Sequence, residues 1–105
     1  MKLDTVDRTK PVHRQITQET WIKGRPEKGD ALCLGLWLAA RYLPAMTDAQ
    51  FQKVQDDVAQ TIRTQYPMRY LSAQKGTASE VIASFNHDRR TTFEDVLLVL
   101  MWAGY

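Results

Sequence analysis

Cysteine and histidine are scarce in this sequence, and their scarcity excludes several kinds of chemistry. The 105 residues include one cysteine, Cys33, and two histidines, His13 and His87. A lone cysteine excludes a disulfide within the chain and is typical of a reducing compartment, so we expect a cytoplasmic protein. The three residues are too widely spaced along the chain for the paired ligands of a zinc site. The sequence therefore predicts neither a bound metal nor a cofactor.

Long hydrophobic runs and a strong charge bias are also missing. The run Ala31–Ala40 has ten residues without a charge, half of the roughly 20 needed to cross a bilayer. Lysine and arginine outnumber aspartate and glutamate by 14 to 12, a net charge of +2. So small an excess does not require a polyanionic partner. The N-terminal segment carries aspartates where a signal peptide needs its apolar core, so we expect no secretory signal and no membrane partner.

What the first half of the chain does contain is two segments with helical patterns. Val12–Lys23 is predicted as a modest amphipathic helix that starts after Pro11, a residue tolerated in the first helical turn. The run Ala31–Ala40 is apolar on every side, which predicts a helix at Ala31–Leu43 that is buried all round, with Leu36 in the core. Met1–Lys10 is polar and aperiodic, so we expect it to be extended or frayed.

The segment from Thr47 to Tyr66 has the clearest helical pattern. Thr47 and Gln50 have the spacing of a capping box, in which each side chain satisfies the other residue's backbone N–H. Because the residue before a proline is disfavoured in helical geometry, Pro67 should end this helix. The apolar residues recur at intervals of three and four, which places them on one face: Phe51, Val54, Val58, Ile62 and Tyr66.

The next stretch predicts a short segment of uncertain type and then a further helix. Met68–Lys75 is predicted as either a short helix or a turn, with Tyr70 and Leu71 tucked inward. Thr77 and Glu80 have a second capping-box spacing, which predicts a helix start. The predicted inner face of that helix consists of Ala78, Val81, Ile82 and Phe85.

The end of the chain predicts a last helix and completes the fold class. Thr91 and Glu94 have a third capping-box spacing before a helix at Thr92–Ala103, with Leu98 in the core. No clear second strand is available for pairing, which favours helix over strand for this apolar run. The sequence predicts an all-α fold, a single compact domain over residues 1–105. Its four to five helices surround two apolar central helices, Ala31–Leu43 and Thr92–Ala103.

Cys33 is the candidate for catalytic chemistry. It would lie in the first turn of the buried helix, where the helix dipole favours a thiolate, and His13 or His87 could complete a nucleophilic pair. However, a free cysteine within an apolar segment usually behaves as a small hydrophobic residue. We therefore predict no catalytic residue and a non-enzymatic protein, with a cysteine-dependent enzyme as an alternative.

Weak nucleic-acid binding is the other alternative function, and it ranks ahead of the cysteine-dependent enzyme. Arg89 and Arg90 precede a predicted helix start, where backbone N–H groups favour anions. Thr77–Ala103 also has the outline of a helix-turn-helix, but its second helix carries almost no side chain able to read a base. The alternative is therefore weak binding in which loops of the protein contact phosphates of the nucleic acid.

Four short motifs occur in a fixed order along the chain: Trp21-x-x-Gly24, Cys33-Leu34, Phe85-Asn86 and Thr92-x-x-Asp95-Val96. This order resembles a small uncharacterised family of actinobacteria and their phages, in which W-x-x-G, C-L, W-N-D and T-x-x-D-V occur. The resemblance spans about residues 21–103 and departs from the family at Phe85-Asn86-His87, where Trp-Asn-Asp is usual. It implies a phage or mobile-element setting and no known activity.

Asn86 and Asp95, which belong to these motifs, are predicted to fix a structural corner. Asparagine tolerates left-handed backbone, so Asn86 should end one helix, while Asp95 is suited to the N-terminus of the next. Side-chain to backbone hydrogen bonds would then hold the corner. This interpretation is preferred to a ligand site, because capping accounts for both residue types.

The last helix contains more apolar residues than one buried face requires. A domain of this size has a small core, so part of the helix should remain at the surface as a site for a protein partner or a homodimer. The residues predicted for partner binding are Leu97, Met101, Trp102 and Tyr105. The predicted function is a non-enzymatic accessory protein, associated with a phage or mobile element, that binds a bacterial host protein.

Overall fold

The computed structural model describes residues 12–14 and 46–105 of the chain. Within these ranges the chain forms a 3₁₀ turn at Val12–Arg14 and four α-helices. They are α1 (Asp48–Gln65), α2 (Leu71–Gln74), α3 (Ala78–His87) and α4 (Phe93–Ala103). The described residues are 73% helical and contain no strand. The predicted all-α fold class is confirmed.

The predicted capping box begins α1. The Thr47 N–H donates to Gln50 Oε1 at 2.7 Å, and the Gln50 N–H donates to Thr47 Oγ1 at 3.1 Å. At the other end Tyr66 is the C-cap, directly before Pro67, as the proline predicts. Phe51 and Tyr66 are half-buried. The buried residues of the predicted inner face are Val54, Val58 and Ile62.

The segment between α1 and α3 contains both a turn and the single-turn helix α2. Tyr70 has a φ of 58°, in the left-handed region, and its side chain is half-buried. The Gln74 amide closes the turn by donating to the carbonyls of Tyr66, at 3.1 Å, and of Arg69. The prediction that Leu71 is tucked inward is wrong, because Tyr70 takes the inward position and Leu71 is 56% exposed.

The capping box predicted for α3 is only half formed. Thr77 Oγ1 accepts from the Glu80 N–H at 3.3 Å, but the Glu80 carboxylate accepts from the Thr77 hydroxyl rather than from its backbone. The inner face of the helix is nevertheless the predicted one, with a half-buried Ala78. Its fully buried residues are Val81, Ile82 and Phe85.

The start of α4 corrects the predicted cap by one residue. The N-cap is Thr92 rather than Thr91, and its partner is Asp95 rather than Glu94. The Thr92 N–H donates to Asp95 Oδ2 at 2.9 Å, and the Asp95 N–H donates to Thr92 Oγ1 at 3.2 Å. Thr91 does not cap the helix, because it is buried and its hydroxyl donates to the Phe85 carbonyl at 2.6 Å.

The described core lies where α1 packs against α3 and α4. The prediction that Leu98 belongs to it is wrong, because α4 turns a different face inward and leaves Leu98 37% exposed. From α1 the core takes Val54, Val58, Ala59 and Ile62, from α3 Val81, Ile82 and Phe85, and from α4 Val96, Val99 and Leu100.

Several predictions fall on residues outside the described part of the chain. They concern the frayed segment Met1–Lys10 and the central helix Ala31–Leu43, including Cys33. The pairing of two apolar central helices therefore stays a prediction. Of the helix predicted at Val12–Lys23, the described portion is Val12–Arg14, a 3₁₀ turn that packs against α4.

Candidate functional site

An apolar stripe runs along the solvent side of α4. Leu98 is 37% exposed, Met101 44% and Trp102 45%. Met101 and Trp102 follow Leu98 by three and four positions, so all three lie on one helical face. These three residues are called the C-terminal stripe below. Glu94 is exposed and lies four residues before Leu98 on the same face, so a carboxylate stands at one end of the stripe.

The stripe includes two of the four residues predicted for partner binding. Met101 and Trp102 are at the surface, whereas Leu97 and Tyr105 are half-buried and pack against the core. Sequence reasoning missed Leu98, which it placed in the core. The helical spacing from Leu98 to Met101 and Trp102 is the signal that could have identified it.

The carboxyl end of α4 is held against α1. Gly104 has a φ of 93°, which ends the helix, and the Tyr105 hydroxyl donates to Asp57 Oδ2 at 2.6 Å. Lys53 pairs with the same carboxylate at 2.7 Å. The hydrogen bonds from Lys53 and Tyr105 lower the pKa of Asp57, so it stays charged at neutral pH. The 3₁₀ turn adds a bond from the His13 N–H to the Tyr105 carbonyl at 3.1 Å.

The amino end of α4 is held by Asp95, which uses its two oxygens differently. Oδ2 caps the helix at Thr92, and Oδ1 accepts from the Tyr66 hydroxyl at 3.0 Å. Burial and the hydrogen bond to Asp95 raise the pKa of Tyr66 to about 12, which keeps the phenol protonated as a donor. The Arg69 guanidinium lies 5.3 Å from the centre of the Tyr66 ring, within cation–π range.

Asp88 organises the corner between α3 and α4. It accepts the Tyr70 hydroxyl at 2.8 Å, the Arg90 guanidinium at 2.7 Å and the Arg90 N–H at 2.9 Å. The contacts with Arg90, and then that with Tyr70, hold the pKa of Asp88 far below its ordinary range. The charge of Arg90 is therefore paired with Asp88, and the first turn of α4 already contains the carboxylates of Glu94 and Asp95. This geometry does not support an anion site at Arg89 and Arg90.

Asn86 lies within α3 rather than at its end. The helix continues through His87, and its C-cap is Asp88 with a φ of −71°, so the predicted left-handed asparagine cap is wrong. Asn86 is instead 3% exposed. Sequence reasoning missed Tyr70 and Thr91 as the polar members of this corner, because capping patterns and periodicity do not identify contacts between separate segments.

The described residues do not assemble a metal-binding group. Within residues 12–14 and 46–105, no three His, Cys, Asp or Glu side chains gather at a distance suitable for one. His87 is exposed at the end of α3, while His13 lies at the carboxyl end of α4. Cys33 is outside the described part, so a nucleophilic pair with either histidine stays a prediction.

Comparisons with known proteins identify no relative: no family model, curated protein or solved structure matches this chain. The resemblance to the actinobacterial and phage family accordingly stays a prediction. Of the helices that the structure describes, none has the length and apolar character needed to cross a membrane.

Proposed function

We propose that this protein is a non-enzymatic accessory protein that acts by binding another protein through the C-terminal stripe. The proposal depends on one observation, that three neighbouring apolar side chains are exposed on one face of α4. Isolated exposed apolar residues are normal on protein surfaces. A contiguous set that includes tryptophan and methionine is typical of the centre of a protein interface.

The support of α4 by the rest of the domain favours this proposal. The face opposite the stripe is buried, Thr92 and Asp95 cap its amino end, and Tyr105 is bonded to Asp57 at the other. A helix held at both ends loses little conformational entropy when a partner binds. The stripe is therefore a pre-organised surface, with Trp102 as its largest side chain.

The cellular setting of the proposal comes from the motif resemblance. It suggests a protein encoded by a phage or mobile element that works in the bacterial cytoplasm, with a host protein as its partner. In such a complex Trp102 inserts into an apolar pocket of the host protein, because buried tryptophans dominate binding energy at many interfaces.

A quantitative capture experiment tests the proposal. The immobilised 105-residue chain is incubated with an actinobacterial lysate, and bound proteins are quantified by mass spectrometry. Trp102→Ala and Met101→Ala should each reduce the amount of a specific partner, by about tenfold for an anchor residue. Met68 and Leu71 provide matched controls, because they are apolar, 80% and 56% exposed, and outside the stripe.

The controls decide how the experiment is interpreted. Met68→Ala and Leu71→Ala should retain the partner at the level of the unchanged chain. Equal capture by the stripe variants and the controls would refute the proposal. Circular dichroism of each variant checks that the helices are intact.

A further inference from the structure

We infer that a second copy of the chain covers the C-terminal stripe in the free protein, with the two α4 helices packed antiparallel about a twofold axis. This inference rests on the proposed function, because it assigns an occupant to the same surface. The dimer is the form of the protein before it meets a different partner.

Opposite charges lie near the two ends of α4. Glu94 is exposed at the amino end of α4, on the face that carries the stripe. Arg14 is exposed at the carboxyl end, where the 3₁₀ turn packs on α4 and bonds to the Tyr105 carbonyl. Lys53 is at that end too, but Asp57 already matches its charge. A carboxylate therefore lies at the amino end of α4, and a guanidinium is exposed near its carboxyl end.

Antiparallel self-pairing brings these opposite charges together. The stripe is centred near residue 100 of α4, so we place the twofold axis there. A residue that precedes this centre in one copy then faces the residue that follows it by the same number of positions in the second copy. Leu98 then packs on Trp102 of the second copy, and the two Met101 side chains meet near the axis. Glu94 then lies toward the carboxyl end of the second copy's α4, the end at which its Arg14 is exposed. Both ends of the interface make the same contact, as a twofold dimer requires.

The charges favour this orientation over a parallel one. A parallel pair would place the two Glu94 carboxylates side by side, which is unfavourable, while the antiparallel pair also opposes the helix dipoles. Three side chains per copy are fewer than the residues of a stable interface, which buries about 800 Å² on each partner. We therefore expect a weak dimer that another protein can displace.

Sedimentation equilibrium over a concentration series into the high micromolar range tests the dimer. The unchanged chain should show a monomer–dimer equilibrium, and Trp102→Ala should weaken it by about tenfold or more. Arg14→Glu and Glu94→Lys should each weaken it several-fold. An equal mixture of these two variants should recover the affinity of the unchanged chain, because each supplies the charge that the other now needs.

Arg89→Glu is the matched control for charge. It makes the same change at another exposed arginine, in the corner before α4, and should leave the dimer intact. An unchanged chain that is monomeric throughout the series would overturn the dimer. A mixture as weak as either variant would overturn its antiparallel arrangement. If the chain is monomeric but Trp102→Ala still loses the captured partner, the proposed function stands without the dimer. If the chain dimerises but stripe variants capture normally, the proposed function fails alone.

Discussion

At the residue scale, three hydrogen bonds from a tyrosine hydroxyl to an aspartate carboxylate join parts of the chain that are far apart in sequence. Each places a neutral phenol against a charged carboxylate, a stronger contact than a bond between two neutral groups. Two of them hold the two ends of α4, and the third holds the corner that precedes it. The pairs are Tyr66–Asp95, Tyr70–Asp88 and Tyr105–Asp57, separated by 29, 18 and 48 residues.

Removing the Asp95 carboxylate should destabilise the domain through two separate losses. Asp95→Ala removes a helix cap, which costs about 0.5–2 kcal/mol. It also removes the hydrogen bond to Tyr66, a further loss of about 0.5–1.5 kcal/mol. Urea denaturation of the variant measures the combined decrease in the free energy of unfolding.

A double-mutant cycle separates these two losses. Tyr66→Phe alone should cost about 0.5–1.5 kcal/mol, whereas adding it to Asp95→Ala should cost almost nothing further, because its acceptor is already gone. Fully additive losses would show that the two side chains do not interact in solution.

At the scale of elements, α4 is apolar in sequence on nearly all sides but is buried on only one. Val96, Val99 and Leu100 face the core, while Leu98 and its stripe neighbours face solvent. Leu98 and Leu100 are therefore the same residue type in two environments, only two positions apart.

This pair predicts different costs for the same substitution. Leu100→Ala should lower the free energy of unfolding by about 2–5 kcal/mol, because it leaves a cavity in the core. Leu98→Ala should cost clearly less, about 1 kcal/mol, because its side chain is only partly covered and leaves no closed cavity. Urea denaturation at low protein concentration, where the dimer is dissociated, measures both. A loss at Leu98 as large as that at Leu100 would place Leu98 in the core.

The helix caps show how far local sequence patterns predict the elements. The Thr47–Gln50 box begins α1 as its spacing predicts, because both partners lie within one helical turn. The box of α4 is displaced from Thr91 to Thr92, since both threonines have an acidic residue three positions on. The sequence pattern alone therefore does not identify the N-cap. In the structure the Thr91 hydroxyl donates to the Phe85 carbonyl, which leaves Thr92 as the N-cap.

At the scale of the whole molecule, charged aspartates connect stability to pH. The folded state lowers the pKa of Asp57 and Asp88 below their ordinary value of 3.8. Their contribution to stability is therefore fully present above that ordinary value. It is lost as the pH falls below it, toward the lower pKa of the folded state.

The domain should accordingly lose stability in acid through these two groups. Urea denaturation between pH 7 and about pH 2 should show a decrease in the free energy of unfolding that begins as the pH approaches the ordinary carboxyl pKa, near 4. Asp88→Asn should be less stable at neutral pH and show a shallower decrease in acid. An identical pH dependence in the variant and the unchanged chain would contradict the role of Asp88.

The local features of this protein follow from its sequence alone. The all-α class, the cap of α1 and the inner faces of α1 and α3 follow from interactions between residues within one or two helical turns, which spacing and residue type record directly. For α4, the apolar pattern indicates a helix but does not indicate which face is buried, because nearly every face is apolar.

Which face of α4 forms the C-terminal stripe depends on tertiary packing. Packing against α1 buried Leu100 and left Leu98 exposed, although the two are alike in sequence. The same packing matched Tyr66 with Asp95 and Tyr105 with Asp57, while Tyr70 and Asp88 meet at the corner before α4, 18 residues apart. Hydrophobic periodicity carries no information about such partners, because it records the orientation of a side chain on its own helix and not what lies opposite.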